Sequence, residues 1–490
     1  MIYPSLKEVK KITTNQDYKV VPISMELYSD IKTPIETLKI LKGISTNVFI
    51  LESVDSTNKM GRYTFLGYDL KLELTCYNHK LKITTGTTIE EEVKHPNEYI
   101  RKILKENKSP RISGMPTFTG GLVGYFSYDY IKYGEQSLNL NANDEEKFND
   151  VDLMLFDKVI AFDNYRQKII LIVNIKVENL EVNYRKAEIE LKAMADLIIN
   201  GKKAEERPLK IKSDYRSYFS KEQYCNMVVK AKEYIKEGDI FQVVLSNKIE
   251  AEIEGSILDA YRVLRSTNPS PYMFYFYSND IEISGASPET LVKLENNKLY
   301  TFPLAGTRKR GKDEEEDLEL EKELLADEKE LAEHNMLVDL GRNDIGKISE
   351  INSVKVDKYM SIEKFSHVMH IGSTVSGTLR SDKDALDAID SILPAGTLSG
   401  APKLRACEII NELEGNKRGI YGGAIGYIDF TGNLDMCISI RLAFAKNGKV
   451  FVRSGAGIVA DSVPENEYEE CINKSKAVIN ALNIAKGGIR

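Results

Sequence analysis

The second half of this chain carries carboxylates, cations and imidazoles at spacings that could do chemistry. Glu333 shares a helical stripe with Leu337 and Leu340, at i+4 and i+7, which sets a carboxylate on an apolar face. A buried carboxylate needs a partner. Glu467, Glu470 and Lys474 fall at i, i+3 and i+7, on one face of a helix whose start, Ser462 to Glu465, has the form of a capping box. Two readings stay open. These groups form a solvated salt-bridge face, or acids from two helices make an oxygen-ligand site for magnesium, which takes few carboxylates, keeps waters and holds an anionic substrate.

Arg441 lies in the run DMCISIRLAF, read as one strand with Ile438, Ile440, Leu442 and Phe444 on one face and Cys437, Ser439, Arg441 and Ala443 on the other. A guanidinium among small residues serves either a structural ion pair or the carboxylate of a substrate. The loop Gly396 to Gly400 runs into Ala401 and Pro402, with Pro402 in a first helical turn, so backbone N–H groups and the helix dipole would face an anion there; Ser399 is the expected N-cap. PLAGTRKRG from Pro303 is a second glycine-containing turn with cations. Of five histidines, His334, His367 and His370 lie close together in sequence, and acid–base chemistry near neutral pH would draw on them first. No G-x-S-x-G, phosphate-loop lysine motif or G-x-G-x-x-G opening a helix is present, which excludes the familiar serine-hydrolase and nucleotide-binding readings.

The elements that must position these residues are of two kinds. Residues 20 to 200 alternate strand-like runs with turn clusters, and 136–150 read as a surface loop. From Ala424 a meander follows, with Asn447-Gly448 as a type I′ hairpin turn. Helices are expected at 181–199, 221–236, 315–326, 328–340, 401–414 and 464–482. Antiparallel sheets, packed as a sandwich with helices outside, give an α+β fold. The charged segment 201–214, with Pro208, is the expected linker between an N-terminal β-rich part, 1–214, and a C-terminal part, 215–490. GGLVGYFSYD from Gly120 echoes GGAIGYIDFT from Gly422, which predicts two strands that need glycine for close packing.

A net charge of −7, from 67 basic and 74 acidic residues, excludes a polybasic nucleic-acid binder. No apolar run approaches the roughly 18 residues that cross a bilayer, and the N-terminus carries no signal-like apolar stretch, so the expectation is a cytoplasmic protein with no membrane partner. The five cysteines include no Cys-x-x-Cys pair, so reduced, packed thiols are expected.

These motifs, in order, resemble those of the chorismate-utilising enzymes: GDIFQVVLS from Gly238, SGASPE from Ser284, PLAGTRKRG, ELAEHNMLVDLGRND from Glu330, FSHVMH from Phe365, LPAGTLSGAPK from Leu393, YGGAIGY from Tyr421, SGAGIVADS from Ser454 and EYEECINKSK from Glu467. The N-terminal half, in FILES from Phe49, GRYTFLG from Gly61 and GGLVGYFSYD, narrows the resemblance to the anthranilate synthase component I branch. Aminodeoxychorismate synthases carry a nucleophilic Lys where this chain has Ala305, and isochorismate- and salicylate-forming relatives carry a water-activating Lys where it has Gln242. A neutral amide cannot be that base, and ammonia needs none.

The resemblance implies roles residue by residue. Glu333 and Glu470 match magnesium ligands, with Glu467 acting through water, and the metal would hold the ring carboxylate of chorismate. Glu289 matches the general acid that protonates the departing C4 hydroxyl. Arg441 and Tyr421 would bind the enolpyruvyl carboxylate, with Gly455 and Gly457 beside it; Thr397, Gly306, Thr307 and Lys474 match further contacts. His370 matches the histidine of the second step, loss of pyruvate.

No glutamine amidotransferase segment is recognisable, so the resemblance implies a separate glutaminase subunit that supplies ammonia in a hetero-oligomer. It also implies a tryptophan feedback site from Glu52, Ser53, Asn268, Pro271, Tyr272, Met273 and Phe274, joined by Gly432, Asp435 and Cys437; the family's usual LLES appears here as ILES, with Ile50. The alternative from another class is a catalytically silent tryptophan-sensing protein. The joint presence of Glu289, Glu333, His370, Arg441, Glu470 and Lys474 argues for the enzyme.

Overall fold

The computed structural model describes residues 2–53, 61–278, 280–364 and 368–489, so Phe365 and His367 lie outside the described residues. Two antiparallel sheets, of 14 and 12 strands, carry helices on their outer faces, the α+β class expected. Alternation along the strands builds the layers. Phe49 points into the core between the sheets, where it meets Phe118 and Phe156, while its neighbours Val48 and Ile50 point outward to Leu38 and Leu41 of one helix and Leu191, Met194 and Ile198 of another. Each such side chain, fully buried, contributes on the order of 1.5–3 kcal/mol relative to exposure.

Both sheets run through both halves of the sequence. In one, Val48–Glu52 pairs with Tyr272–Tyr277; in the other, Gly121–Phe126 pairs with Ala424–Asp429. That second pair is the sequence echo itself, with Gly124 opposite Gly426. A Cβ at either would lie 2.0 Å from a carbonyl oxygen, of Asp152 and of Asp435 respectively, so the glycines are what permit the approach.

Several expectations change. The segment 201–214 is partly woven in: Lys210–Ile211 pairs with Glu254 and Ile253, and Leu209 is fully buried. The loop 136–150 buries Leu138, Phe148 and Asp150. DMCISIRLAF is two strands: Leu434–Ile438 belongs to one sheet and Leu442–Lys446 to the other. Arg441 makes the crossing in a left-handed conformation, φ +54°, so the period-2 reading of its neighbours fails there. The expected helix from Ala401 starts at Lys403, with Pro402 as N-cap, because Ala401 is drawn into a short ladder opposite Gln242. Ser399 is not that cap; its hydroxyl donates to Ala395 O at 2.8 Å. The last helix, Pro464–Ala485, has no capping box, since its N-cap is Val463 and the Ser462 hydroxyl accepts from Val459 N. The Asn447-Gly448 turn is as expected, with φ +51° and +73°. All five cysteines are free thiols.

Candidate active site

The cleft lies where the ends of several strands meet the helices Glu328–Gly346 and Pro464–Ala485. Glu289 sits between strands Glu282–Ser287 and Thr290–Glu295, half-buried. Its position is fixed by the backbone: Ile438 N donates to Glu289 O at 2.9 Å, and the Ser287 hydroxyl donates to Ile438 O at 2.7 Å. Thr397, in the short 3-10 turn Gly396–Leu398, donates its hydroxyl to Glu289 Oε1 at 3.0 Å. Burial pushes the Glu289 carboxyl up to about 7, against the opposing Thr397 bond and the Lys474 ammonium. Near neutral pH it is therefore poised between its acid and carboxylate forms.

Gln242 opens the long strand Gln242–Glu254, and its amide nitrogen would lie 2.8 Å from a Cβ at Gly457. Gly455 lies likewise beneath the buried Tyr421, whose hydroxyl would meet a Cβ there at 3.1 Å. The floor is therefore glycine where the ring and the amide cover it. Arg441 Nη1 donates to Lys474 O at 2.7 Å, and burial lowers the guanidinium's proton affinity. Among the described residues Arg441 is in no ion pair within 4.0 Å, and together with Glu470 and Lys474 it lines an open pocket.

His370, on strand Val368–Thr378, has Nδ1 2.7 Å from Gly306 O and 3.1 Å from Thr307 Oγ1. A carbonyl can only accept, so Nδ1 carries the hydrogen and the lone pair sits on Nε2. Burial and the facing Arg441 hold the ring neutral. His334 does not join the cleft: it is fully buried, Nε2 is 2.6 Å from Ser373 Oγ, and burial pushes it down to about 4.

The acids expected to hold magnesium approach across two helices. Burial, followed by Glu330 and Glu470, raises the proton affinity of Glu333; burial, with Glu470 adding, raises that of Glu467. Glu470 pairs with Lys474 at 2.6 Å. Among the described residues no three carboxylate, imidazole or thiol groups converge closely enough to hold a metal on their own. Like-charged oxygen donors crowded together are nonetheless what a hard divalent cation relieves.

A cavity of about 390 Å³ lies apart from this cleft, between the sheets. It is lined by Glu52, Ser53, Pro271, Tyr272, Met273, Phe274, Asp435 and Cys437, as the expected feedback site would be; Asn268 and Gly432 are not among its walls.

A family model described as chorismate binding enzyme matches residues 48–480. Anthranilate synthase component 1 of Acetivibrio thermocellus is 48% identical, with all of both chains covered, and that of Aquifex aeolicus is 44% identical, with 98% of each covered. The chain belongs to the chorismate-binding enzymes, in the anthranilate synthase component 1 family. The crystal structure of anthranilate synthase component I from Streptococcus pneumoniae matches with a TM-score of 0.74 at 38% identity, over 92% of this chain and 98% of that one. The menaquinone-specific isochorismate synthase of Escherichia coli has the same fold, TM-score 0.70, at 17% identity over 97% and 98%.

Within this family fold, sequence reasoning passed over a buried ionic cluster behind the cleft floor. Glu414 accepts from Arg418 at 2.6 Å and Arg453 at 2.6 Å, and from Ser246 N and Oγ at 2.7 and 2.9 Å. Glu414 and Arg418 sit at i and i+4, but they straddle the helix end at Gly415, so helical spacing gave no signal. Tyr272 was expected only as an inhibitor contact. Its hydroxyl donates to Asp435 Oδ1 at 2.7 Å and lies 3.0 Å from Thr290 Oγ1, next in sequence to Glu289. Among the described residues no helix is long and apolar enough to cross a membrane.

Proposed function

We propose that this chain converts chorismate and ammonia to anthranilate, water and pyruvate, and that residues 215–490 carry the chemistry while 1–214 regulate it. The observation that carries this reading is Glu289, an acid poised near pH 7 and held by Thr397 in a cleft with Arg441, Lys474 and a neutral imidazole. Arg441 and Tyr421 hold the enolpyruvyl carboxylate. Ammonia attacks ring carbon C2 from the side of Gln242, and Glu289 gives its proton to the C4 hydroxyl, which leaves as water. The proton lost from the new amine balances the one spent. In the second step His370, with its lone pair on Nε2, serves the loss of pyruvate that makes the ring aromatic.

Glu333 and Glu470, with Glu467 behind a water, are the residues that would hold Mg²⁺. The ion would neutralise the ring carboxylate and the charge that develops as the hydroxyl departs. Because three carboxylates do not close on one point, waters and substrate oxygens would complete the shell, as magnesium prefers. We assign the supply of ammonia to a separate glutaminase subunit and the site of action to the cytoplasm. If no such partner raises glutamine-dependent turnover above the ammonium-dependent rate, that assignment fails.

The inter-sheet cavity suits tryptophan as a feedback inhibitor. Its walls offer Glu52 and Asp435 for an ammonium, Arg111 and Lys293 for a carboxylate, and Phe65, Met115, Met273 and Ile425 for a large apolar side chain; among the described residues the buried Ser53 hydroxyl has no partner. Cys437 is four residues from Arg441, so an occupant could act on the crossing segment directly. Unchanged turnover under saturating tryptophan would sink this. The catalytic reading is tested by Glu289→Gln, which under it cuts anthranilate formation by about a thousandfold and leaves it intact if another group is the acid.

A further inference from the structure

Arg418 has no part in the family resemblance and does not line the cleft, yet its bonds run to the segments that place two residues of the proposed chemistry. The residue is 3% exposed. Nη1 donates to Leu398 O at 2.5 Å, and Leu398 follows Thr397, which holds Glu289. Nη2 donates to Val244 O at 2.7 Å, two residues after Gln242. Nε and Nη2 also hold both oxygens of Glu414, at 3.0 and 2.6 Å, and the guanidinium lies over the Tyr128 ring, 4.5 Å from its centroid. Val244 N closes the arrangement by donating to Ser399 O at 2.9 Å. The planar fork thus bridges two backbone carbonyls from separate segments, one on each side of the reaction, and Glu414 fixes its orientation.

We propose that Arg418 is a positioning residue of the reaction: it locks the Gly396–Leu398 turn to the Gln242 strand, and so aims Thr397 at the Glu289 carboxyl. This rests on the reading of Glu289 as the acid. Arg453 is the internal comparison, because it shares Glu414 but spends its other donors on Ser246 Oγ and Lys417 O and none on the Thr397 turn. The groups bearing on Glu289 are Lys474, from the last helix, and Thr397. Asp344, from the helix Glu328–Gly346, lines a small cavity that Glu289 also lines, and it pairs with Lys403 at 2.8 Å through Oδ2 and with Lys347 at 3.8 Å through Oδ1.

The test uses Arg418→Lys, which keeps the charge and loses the fork, beside Arg453→Lys and Thr397→Val, each assayed across pH at constant free ammonia. The Thr397 bond lowers the proton affinity of Glu289, so its loss moves the alkaline limb of the kcat profile upward. Arg418→Lys is expected to lower kcat by about tenfold or more with a smaller change in KM. It should also move that limb upward by about half a unit, as Thr397→Val does. Arg453→Lys, at a comparable loss of melting temperature, leaves the limb in place. The double variant Arg418→Lys with Thr397→Val should show a shift smaller than the sum of the two, because both act on one bond. An unmoved limb in Arg418→Lys, or additive shifts, overturns the proposal. If Arg418→Lys does not fold, Glu414→Asp takes its place: it keeps the charge and withdraws the anchor by one methylene, and an unmoved limb there overturns the proposal equally. Normal turnover in Glu289→Gln would bring down the reading of the acid itself, whereas an inactive Glu289→Gln with an unmoved Arg418→Lys limb brings down only this inference.

Discussion

In the inter-sheet cavity the acids have hydrogen-bond partners: Glu52 is held by Arg265, at 3.0 Å through Nη2, and by Tyr261, and Asp435, whose proton affinity burial raises, takes the Tyr272 hydroxyl. In the cleft the same residue types are left in tension. Glu289 is forced toward its neutral form, burial and neighbouring acids raise the proton affinity of Glu333 and Glu467, and the half-buried His370 ring is held toward its neutral form by burial and by the Arg441 charge. A recess that only binds can satisfy its wall and let the ligand exchange places with it. One that moves protons has to keep groups poised between two charge states, and it does so by burial without full pairing.

That contrast can be broken most severely at Glu289. Replacing the carboxyl by an isosteric amide, Glu289→Gln, should cut anthranilate formation by about a thousandfold at saturating chorismate, read by anthranilate fluorescence. His370→Ala should cost about a hundredfold and should release the amino-deoxyisochorismate intermediate, visible by chromatography; anthranilate at the normal rate would contradict the role. Arg441→Lys should act mainly through KM for chorismate, raising it about tenfold, because an ammonium cannot reproduce a two-pronged carboxylate contact. The same carboxyl-to-amide change in the cavity, Asp435→Asn, should weaken tryptophan inhibition by about tenfold and move turnover far less than Glu289→Gln does. Should Asp435→Asn instead abolish turnover, the two recesses would not be separable in the way described. Smallest is the effect of pH on the unmodified enzyme. With Glu289 required protonated and its carboxyl at about 7, turnover at constant free ammonia should fall as pH rises through about 7.

The α+β class, most helices and the residues that gather in the cleft were legible because they rest on local periodicity and on ordered motifs. Three things were not. The crossing at Arg441 looks like any alternating strand, since nothing in Ser439-Ile440-Arg441 marks a left-handed residue. The caps at Ser399 and Ser462 had the right residue types, but Ala401 was drawn into a ladder with Gln242, and the Ser462 hydroxyl had already accepted from Val459 N. The Glu414, Arg418 and Arg453 cluster joins residues up to 39 apart through a buried centre, and sequence spacing carries no signal for such a meeting. Tertiary competition decided the cap at Ser399 and the Glu414 cluster, where Gln242 claims the Ala401 backbone and two arginines share one carboxylate.

The central claim is the product. Purified chain incubated with chorismate, ammonium and Mg²⁺, without any partner, should yield anthranilate and pyruvate in equal amounts. Isochorismate or 4-amino-4-deoxychorismate as the product would contradict it.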